Sequence, residues 1–93
     1  MIRSFADKRT QAMCEDGRCP AQWRAIERVA LRKLDQLQNV SRLDDLRVPP
    51  GNRLERLKGN RAGQWSIRIN DQYRLCFRWE GEHAFEVEIA DYH

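Results

Sequence analysis

Three residues capable of proton transfer stand together in the sequence: Asp91, Tyr92 and His93. An imidazole titrates near neutral pH, so a histidine can take up and release a proton under physiological conditions. A neighbouring carboxylate can orient or tune that imidazole. His83 and Glu55 are the remaining candidates for this role. A histidine near a chain end is more often solvated than catalytic, so both interpretations of His93 stay open.

Basic residues are concentrated ahead of this motif. Residues 53–79 contain two acidic side chains and seven basic ones, Arg53, Arg56, Lys58, Arg61, Arg68, Arg74 and Arg78. A guanidinium can bind phosphate with two donors at once, so this composition indicates a phosphate-bearing partner. Residues 80–93 contain five acidic residues and no Lys or Arg. A basic face that is merely solvated accounts for the composition equally well.

Together, these two groups of residues suit the cleavage of RNA without a metal ion. In that reaction a 2′-hydroxyl attacks the adjacent phosphorus. The reaction needs a proton acceptor, cations that stabilise the charged phosphate, and a proton donor for the leaving 5′ oxygen. Lys58, Arg68 and Arg74 suit the cationic role. No cofactor and no metal ion are expected.

Other kinds of active site find little support. The sequence has no glycine-rich phosphate loop and no serine nucleophile in a recognisable elbow. Cys14, Cys19 and Cys76 are an odd number of cysteines and lack the second ligand pair of a zinc site. This cysteine content indicates a reducing cytoplasm. The spacing of Glu86 and Glu88 is more typical of a solvated strand edge than of a metal site.

The first half of the chain has the periodicity of helices. A short helix is expected over residues 7–15, ending near Gly17. Pro20 is tolerated at the first position of a second helix. Apolar residues then recur every three or four positions, at Trp23, Ile26, Ala30, Leu34 and Leu37. This stripe predicts a helix over residues 20–39, with an extra turn over residues 41–46.

The second half changes to a period of two after the Pro-Pro-Gly-Asn segment at residues 49–52. Apolar and polar residues alternate in three predicted strands, within residues 65–69, 73–79 and 85–89. The third pattern places Phe85, Val87 and Ile89 on one apolar face. Short polar turns between the strands predict an antiparallel meander. Residues 2–5 and 54–58 are further strand candidates.

Burial then predicts the architecture. The apolar strand faces need a cover, and the apolar helix stripe needs a surface to pack on. The sequence therefore predicts an α+β fold with N-terminal helices on one face of a small antiparallel sheet. The opposite face, with Arg68, Arg74 and Arg78, would be open. A chain of 93 residues is long enough for one domain, so a single domain over residues 1–93 is expected. No segment has the roughly 20 apolar residues that span a membrane, so no membrane partner is expected.

Several short motifs resemble those of the HigB-type plasmid-maintenance killer toxins of the RelE superfamily. They are Ile2-Arg3-Ser4-Phe5, Leu57-Lys58-Gly59, Trp65-Ser66-Ile67, Tyr73-Arg74-Leu75-Cys76-Phe77 and the terminal Asp91-Tyr92-His93. Their combination is specific and covers essentially the whole chain. The resemblance implies the RelE-like fold and a toxin of a type II toxin–antitoxin system. It also implies a ribosome-dependent endoribonuclease that cuts messenger RNA during translation.

The resemblance further implies roles for individual residues. The predicted catalytic residues are Arg74, Asp91, Tyr92 and His93, with Arg74 stabilising the phosphate. The predicted RNA-binding residues are Lys58, Arg61, Arg68 and Arg78. Some members of the family have an active-site histidine at the position of Glu55, so His93 or Asp91 would carry more of the proton transfer here. Arg68 occupies a position where related toxins vary between basic and neutral residues.

The partners expected from the resemblance are a HigA-type antitoxin with a helix-turn-helix and the ribosome with its messenger RNA. Operator DNA would be contacted only through the antitoxin. Two alternatives remain open. One is a non-catalytic nucleic-acid-binding module that uses the same basic sheet face. The other is a regulatory protein that only binds its antitoxin.

Overall fold

The computed structural model describes residues 1–91. Its first helix, α1 (Lys8–Asp16), has a defined cap at each end. The Asp7 carboxylate accepts a hydrogen bond of 2.6 Å from the backbone N–H of Thr10, which satisfies a donor that the helix leaves unpaired. Gly17 ends the helix with a φ of 70°, a left-handed conformation that costs glycine little. The helix predicted over residues 7–15 is thus confirmed.

The second predicted helix is divided into two parts. Ala21–Ile26 form a 3-10 helix, and α2 spans Glu27–Asn39. The division falls at Ile26, whose φ of −108° and ψ of 2° leave the α-helical region. Trp23 and Ile26 are nevertheless both buried. The apolar stripe predicted over residues 20–39 is confirmed, whereas the single regular helix was wrong.

The connection from α2 to the sheet consists of short turns. Leu43–Arg47 and Pro50–Asn52 are 3-10 turns, the first close to the extra turn predicted over residues 41–46. Within residues 1–91, no helix is long and apolar enough to cross a membrane.

In the described part of the chain the sheet has four strands in chain order, each antiparallel to its neighbour. They are β1 (Glu55–Arg56), β2 (Trp65–Arg68), β3 (Tyr73–Glu80) and β4 (His83–Asp91). The predicted meander and the α+β class are confirmed. A further 3-10 turn, Gly59–Arg61, lies between β1 and β2.

The N-terminal segment pairs with β4 without forming a full strand. Ile2 bridges Ala84 and Phe5 bridges Val87, both in the parallel sense. The strand expected over residues 2–5 is therefore reduced to two isolated bridges along the outer edge of β4.

The main core lies between the helices and one face of the sheet. Its buried members are Met13, Trp23, Ile26, Ala30, Leu34, Leu37, Leu46, Ile67, Ile69, Leu75, Phe77, Ala84, Val87 and Ile89. Removing this much apolar surface from water is the main driving force for the fold. It also fixes which face of the sheet remains available for a site.

The predicted alternation of β4 was wrong at Phe85. Between β3 and β4 the register shifts, and Glu86 has a φ of 53°, which together mark a β-bulge. The extra residue places Phe85 opposite Arg78 and leaves Ala84 fully buried. Because a bulge reverses the alternation beyond it, Phe85 lies on the face opposite Val87. Half-buried, it belongs to neither apolar cluster.

The face away from the helices is not entirely open. A small cluster of Leu57, Cys76 and Ala90 is buried there, and Ser66 is fully buried as well. The chain between β1 and β2 returns close to the sheet, where the Leu57 N–H donates to the carbonyl of Gln64 at 2.9 Å. The alternation of polar residues along the strands therefore predicted more solvent exposure for this face than the structure has.

Candidate active site

Arg74 is the best-fixed cation on the sheet face away from the helices. Its Nε donates to Ser66 Oγ at 2.8 Å, and its Nη2 donates to the backbone carbonyl of Arg53 at 2.8 Å. The side chain is 12% exposed. Both contacts come from the neighbouring β2 strand and from the segment before β1. The guanidinium is therefore held in one orientation before any ligand binds.

Glu55 places a carboxylate beside this guanidinium. Its Oε2 lies 3.8 Å from Arg74 Nη2, and about half of its side chain is exposed. Glu55 is paired with Ser66 across β1 and β2, so the strand register delivers it to the Arg74 site. A solvent-accessible carboxylate next to a fixed cation combines a proton acceptor with a group that can stabilise a charged phosphate.

Arg68 lies directly opposite Arg74 in the pairing of β2 with β3. Its guanidinium forms an ion pair with the carboxylate of Asp71, which is 99% exposed. Exposed ion pairs are worth little because water and salt compete for both partners. Arg68 can therefore exchange this partner for another anion at small cost.

Two further predicted RNA-binding residues, Lys58 and Arg78, are accessible to solvent. Lys58 is exposed and immediately precedes the Gly59–Arg61 turn. Arg78 is half exposed, and its Nε lies 3.9 Å from a carboxylate oxygen of Glu86. Both side chains are accessible to a ligand on this face, and their role in RNA binding stays a prediction.

Arg61 is engaged in holding the loop between β1 and β2. One of its terminal nitrogens donates to Glu88 at 2.6 Å and to Gln64 at 3.0 Å. It also lies near the buried Cys76 thiol. Burial raises the pKa of the Cys76 thiol. The positive charge of Arg61 lowers this pKa, and the negative charge of Glu88 raises it. These contacts indicate a structural contribution of Arg61, and its RNA-binding role stays a prediction.

The predicted C-terminal catalytic motif is described only as far as Asp91. That residue pairs with Tyr73, so strand alternation places it on the face opposite Arg74. Its carboxylate accepts a hydrogen bond of 3.1 Å from Gln72 Nε2. The structure thus does not bring Asp91 together with Arg74. The predicted catalytic residues Tyr92 and His93 lie outside the described residues.

Two of the four buried polar residues within residues 1–91, Lys33 and Asn52, form a pair that the sequence analysis did not predict. Lys33 on α2 is 6% exposed, and Asn52 is fully buried; the Lys33 ammonium donates to the Asn52 side-chain oxygen. Lys33 falls on the polar side of a helical pattern, and Asn52 in a turn-forming segment. Neither position carries a signal that predicts burial.

No group of three or more His, Cys, Asp or Glu side chains within residues 1–91 is arranged to hold a metal ion.

Comparisons with known proteins agree with the fold. The family model described as RelE-like toxin of type II toxin-antitoxin system HigB matches residues 3–93. Toxin HigB-1 of Vibrio cholerae serotype O1 is 43% identical over 83 residues, which cover 85% of this chain and 84% of the relative. Endoribonuclease HigB of Proteus vulgaris is 30% identical over 98 residues, with full coverage of both proteins.

A solved structure shares the fold at low sequence identity. The structure titled YoeB-YefM complex from Staphylococcus aureus aligns with a TM-score of 0.56 and 18% identity. The alignment covers 100% of this chain and 98% of the matched one. The observed arrangement of helices on an antiparallel sheet is therefore found in a solved protein of the same size.

Proposed function

The chain belongs to the HigB-like family of RelE-like toxins and is a toxin endoribonuclease of a type II toxin–antitoxin system, and we propose that it cleaves messenger RNA on the ribosome. The observation that carries this proposal is the pairing of Arg74 with Glu55. A fixed guanidinium and an accessible carboxylate lie 3.8 Å apart on the basic sheet face.

The proposed reaction is a metal-independent attack by the 2′-hydroxyl. Arg74 binds a non-bridging oxygen of the scissile phosphate while Glu55 takes the proton from the 2′-hydroxyl. A bond forms between the 2′ oxygen and phosphorus, and the bond from phosphorus to the 5′ oxygen breaks. The products are a 2′,3′-cyclic phosphate and a free 5′-hydroxyl. His93 is proposed to protonate the leaving oxygen, and this assignment rests on the family motif alone.

The shape of the site supports a role for the ribosome. Glu55 is half exposed and Arg78 is half exposed, so both side chains are open to a large ligand such as a messenger held by the ribosome. Correct alignment of the reacting groups can supply several kcal/mol of the barrier, roughly 7–11 in favourable cases. We propose that the ribosome supplies this alignment by holding the messenger.

The test is cleavage of a defined messenger by the purified protein, with and without programmed ribosomes. We expect 5′-hydroxyl ends to form only when ribosomes are present. Cleavage of naked RNA at the same rate would remove the ribosome from the proposal. Binding without cleavage in either case would favour the non-catalytic nucleic-acid-binding module.

The partner of such a toxin is an antitoxin. We propose that it is a HigA-type protein with a helix-turn-helix that also contacts operator DNA, and that both act in the cytoplasm. We further propose that it docks away from the Arg74 face. A groove of about 480 Å³ supports this placement. It lies on the helical side and is lined by Ile2, Phe5, Cys14, Glu15, Leu31, Leu34, Asp35 and Gln38.

The acidic rim of this groove makes the docking proposal testable. Glu15 and Asp35 would favour an antitoxin segment with basic and apolar residues. We expect Asp35→Lys to weaken binding of the antitoxin encoded beside the toxin gene while growth arrest by the free toxin is retained. Unchanged antitoxin affinity would place the docking surface elsewhere.

A further inference from the structure

A buried lysine on the helical side of the molecule is linked to the Arg74 site. Lys33 is 6% exposed, and lysines are rarely buried unless they are paired. Its ammonium donates to the side-chain oxygen of Asn52. Burial lowers the pKa of Lys33, and the positive charges of Arg32 and Arg68 lower it further. Keeping this group inside the protein costs free energy, which the proposed cleavage scheme leaves unexplained.

The partner of Lys33 ties the segment before β1 to helix α2. Asn52 is fully buried, and its side-chain amide donates to the Leu46 carbonyl at 3.0 Å and the Val48 carbonyl at 3.3 Å. The same amide donates to Gln36 Oε1 at 3.0 Å. Asn52 therefore joins α2 to this segment, and Gln36 Nε2 adds a second link by donating to the Val48 carbonyl at 2.7 Å.

The next residue along the chain contacts Arg74. Arg53 has a φ of 46°, an uncommon conformation for a residue other than glycine. Its carbonyl accepts the 2.8 Å hydrogen bond from Arg74 Nη2, and Glu55 follows two residues later. The direction in which this carbonyl points depends on how the chain at Asn52 is held.

We propose that Lys33 and Asn52 are positioning residues for the active site, acting on Arg74 through the carbonyl of Arg53. The proposal rests on the proposed function, in which Arg74 binds the scissile phosphate. Neither positioning residue touches the substrate. Their loss changes the orientation of the guanidinium and leaves the RNA-binding cations of the surface in place.

A kinetic experiment distinguishes this role from a general effect on folding. Lys33→Met and Arg32→Met each remove one cation from α2, and Arg32 is exposed, so it serves as the matched control. On purified ribosomes we expect Lys33→Met to lower kcat by about 10- to 100-fold, since small misplacements of catalytic groups have effects of this size. We expect KM to change less than about twofold and Arg32→Met to match the wild type.

A double-mutant cycle tests whether the effect passes through Arg74. Arg74→Lys keeps a positive charge but loses the pair of hydrogen bonds that the guanidinium donates to Ser66 Oγ and to the Arg53 carbonyl. In that background we expect Lys33→Met to have little further effect on kcat, because the guanidinium's hydrogen bond to the Arg53 carbonyl is already lost. Independent, multiplicative losses would overturn the proposal, as would a wild-type kcat for folded Lys33→Met.

A second measurement does not depend on cleavage. Nitrogen-15 NMR of the arginine side chains should show separate, slowly exchanging Nη protons for Arg74 in the wild type and averaged ones in Lys33→Met. Should Lys33→Met fail to fold, Asn52→Asp replaces it, because the new carboxylate still pairs with Lys33 but cannot donate to the two carbonyls. Unchanged Arg74 signals in the folded variant would overturn the proposal even if the wild type cleaves no RNA on ribosomes.

Discussion

Arg68 and Arg74 face each other directly across β2 and β3. Like charges in that arrangement repel, and each guanidinium has an acidic neighbour that offsets the repulsion. The two arginines are held differently: Arg68 pairs with Asp71, which is almost fully exposed, whereas Arg74 is 12% exposed and hydrogen-bonded on two sides. In the proposed mechanism, an incoming phosphate displaces Asp71 from Arg68, while Arg74 is already held in one orientation by Ser66 and the Arg53 carbonyl.

Replacing Arg74 by alanine should abolish growth inhibition. Loss of one preorganised contact to the transition state typically lowers kcat by about 100-fold or more. Stability should fall by about 1–3 kcal/mol, because Ser66 Oγ and the Arg53 carbonyl lose their donor. Arg47→Ala, which removes only an exposed ion pair with Asp44, is the control. A folded Arg74→Ala protein that stays fully toxic would show that the active site lies elsewhere.

The role of Glu55 is tested by Glu55→Gln, which keeps the size of the side chain and removes its basicity. As the general base, Glu55 should contribute about 10²- to 10⁴-fold to the cleavage rate on ribosomes. Glu82→Gln changes a carboxylate at the exposed turn between β3 and β4 and should cleave at the wild-type rate. Equal rates for both variants would remove Glu55 from the mechanism.

Deletion of His93 tests the proposed general acid. If the imidazole protonates the leaving oxygen, cleavage should fall by roughly two to four orders of magnitude. The melting temperature should stay near that of the wild type, because pairing of β4 with β3 extends to Asp91 without it. Single-turnover cleavage and thermal unfolding of the same preparation measure both effects. Near-equal cleavage rates would remove His93 from the mechanism.

Lys33 should give the protein a stability that rises with pH. In the folded state its pKa lies below the ordinary value of 10.5, so between these two values the unfolded chain binds more protons. The free energy of unfolding therefore increases with pH across this window. Urea unfolding of wild type and Lys33→Met at a series of pH values below 10.5 should show the wild type gaining stability relative to the variant as the pH rises. A constant difference would mean that Lys33 titrates normally.

The sequence could predict elements whose burial follows from local spacing. The alternation of Tyr73, Leu75 and Phe77 predicts β3 correctly because these three side chains lie on one face of the strand and pack against the core. The same pattern failed at Phe85, where a bulge adds a residue that no local signal reveals. Glu55 could be named as a proton-transfer candidate, but its place beside Arg74 depends on the pairing of β1 with β2.

The burial of Lys33 could not be predicted for a similar reason. Its acceptor, Asn52, is 19 residues away and reaches it only after the segment between α2 and β1 has folded back. Periodicity assigns a lysine on α2 to the solvated side because lysines usually lie there. Local periodicity extends over only a few residues, so it cannot predict a buried polar pair formed between distant segments.

The pairing of the N-terminal segment with β4 affects how the molecule folds. Ile2 meets Ala84 and Phe5 meets Val87, so these contacts close a loop that includes most of the chain. Contacts of such large sequence separation slow folding because loop-closure entropy is lost before they form. During synthesis the N-terminal segment must wait for residues 83–91 to be made. We therefore expect the newly made chain to complete its sheet only after translation has passed β4.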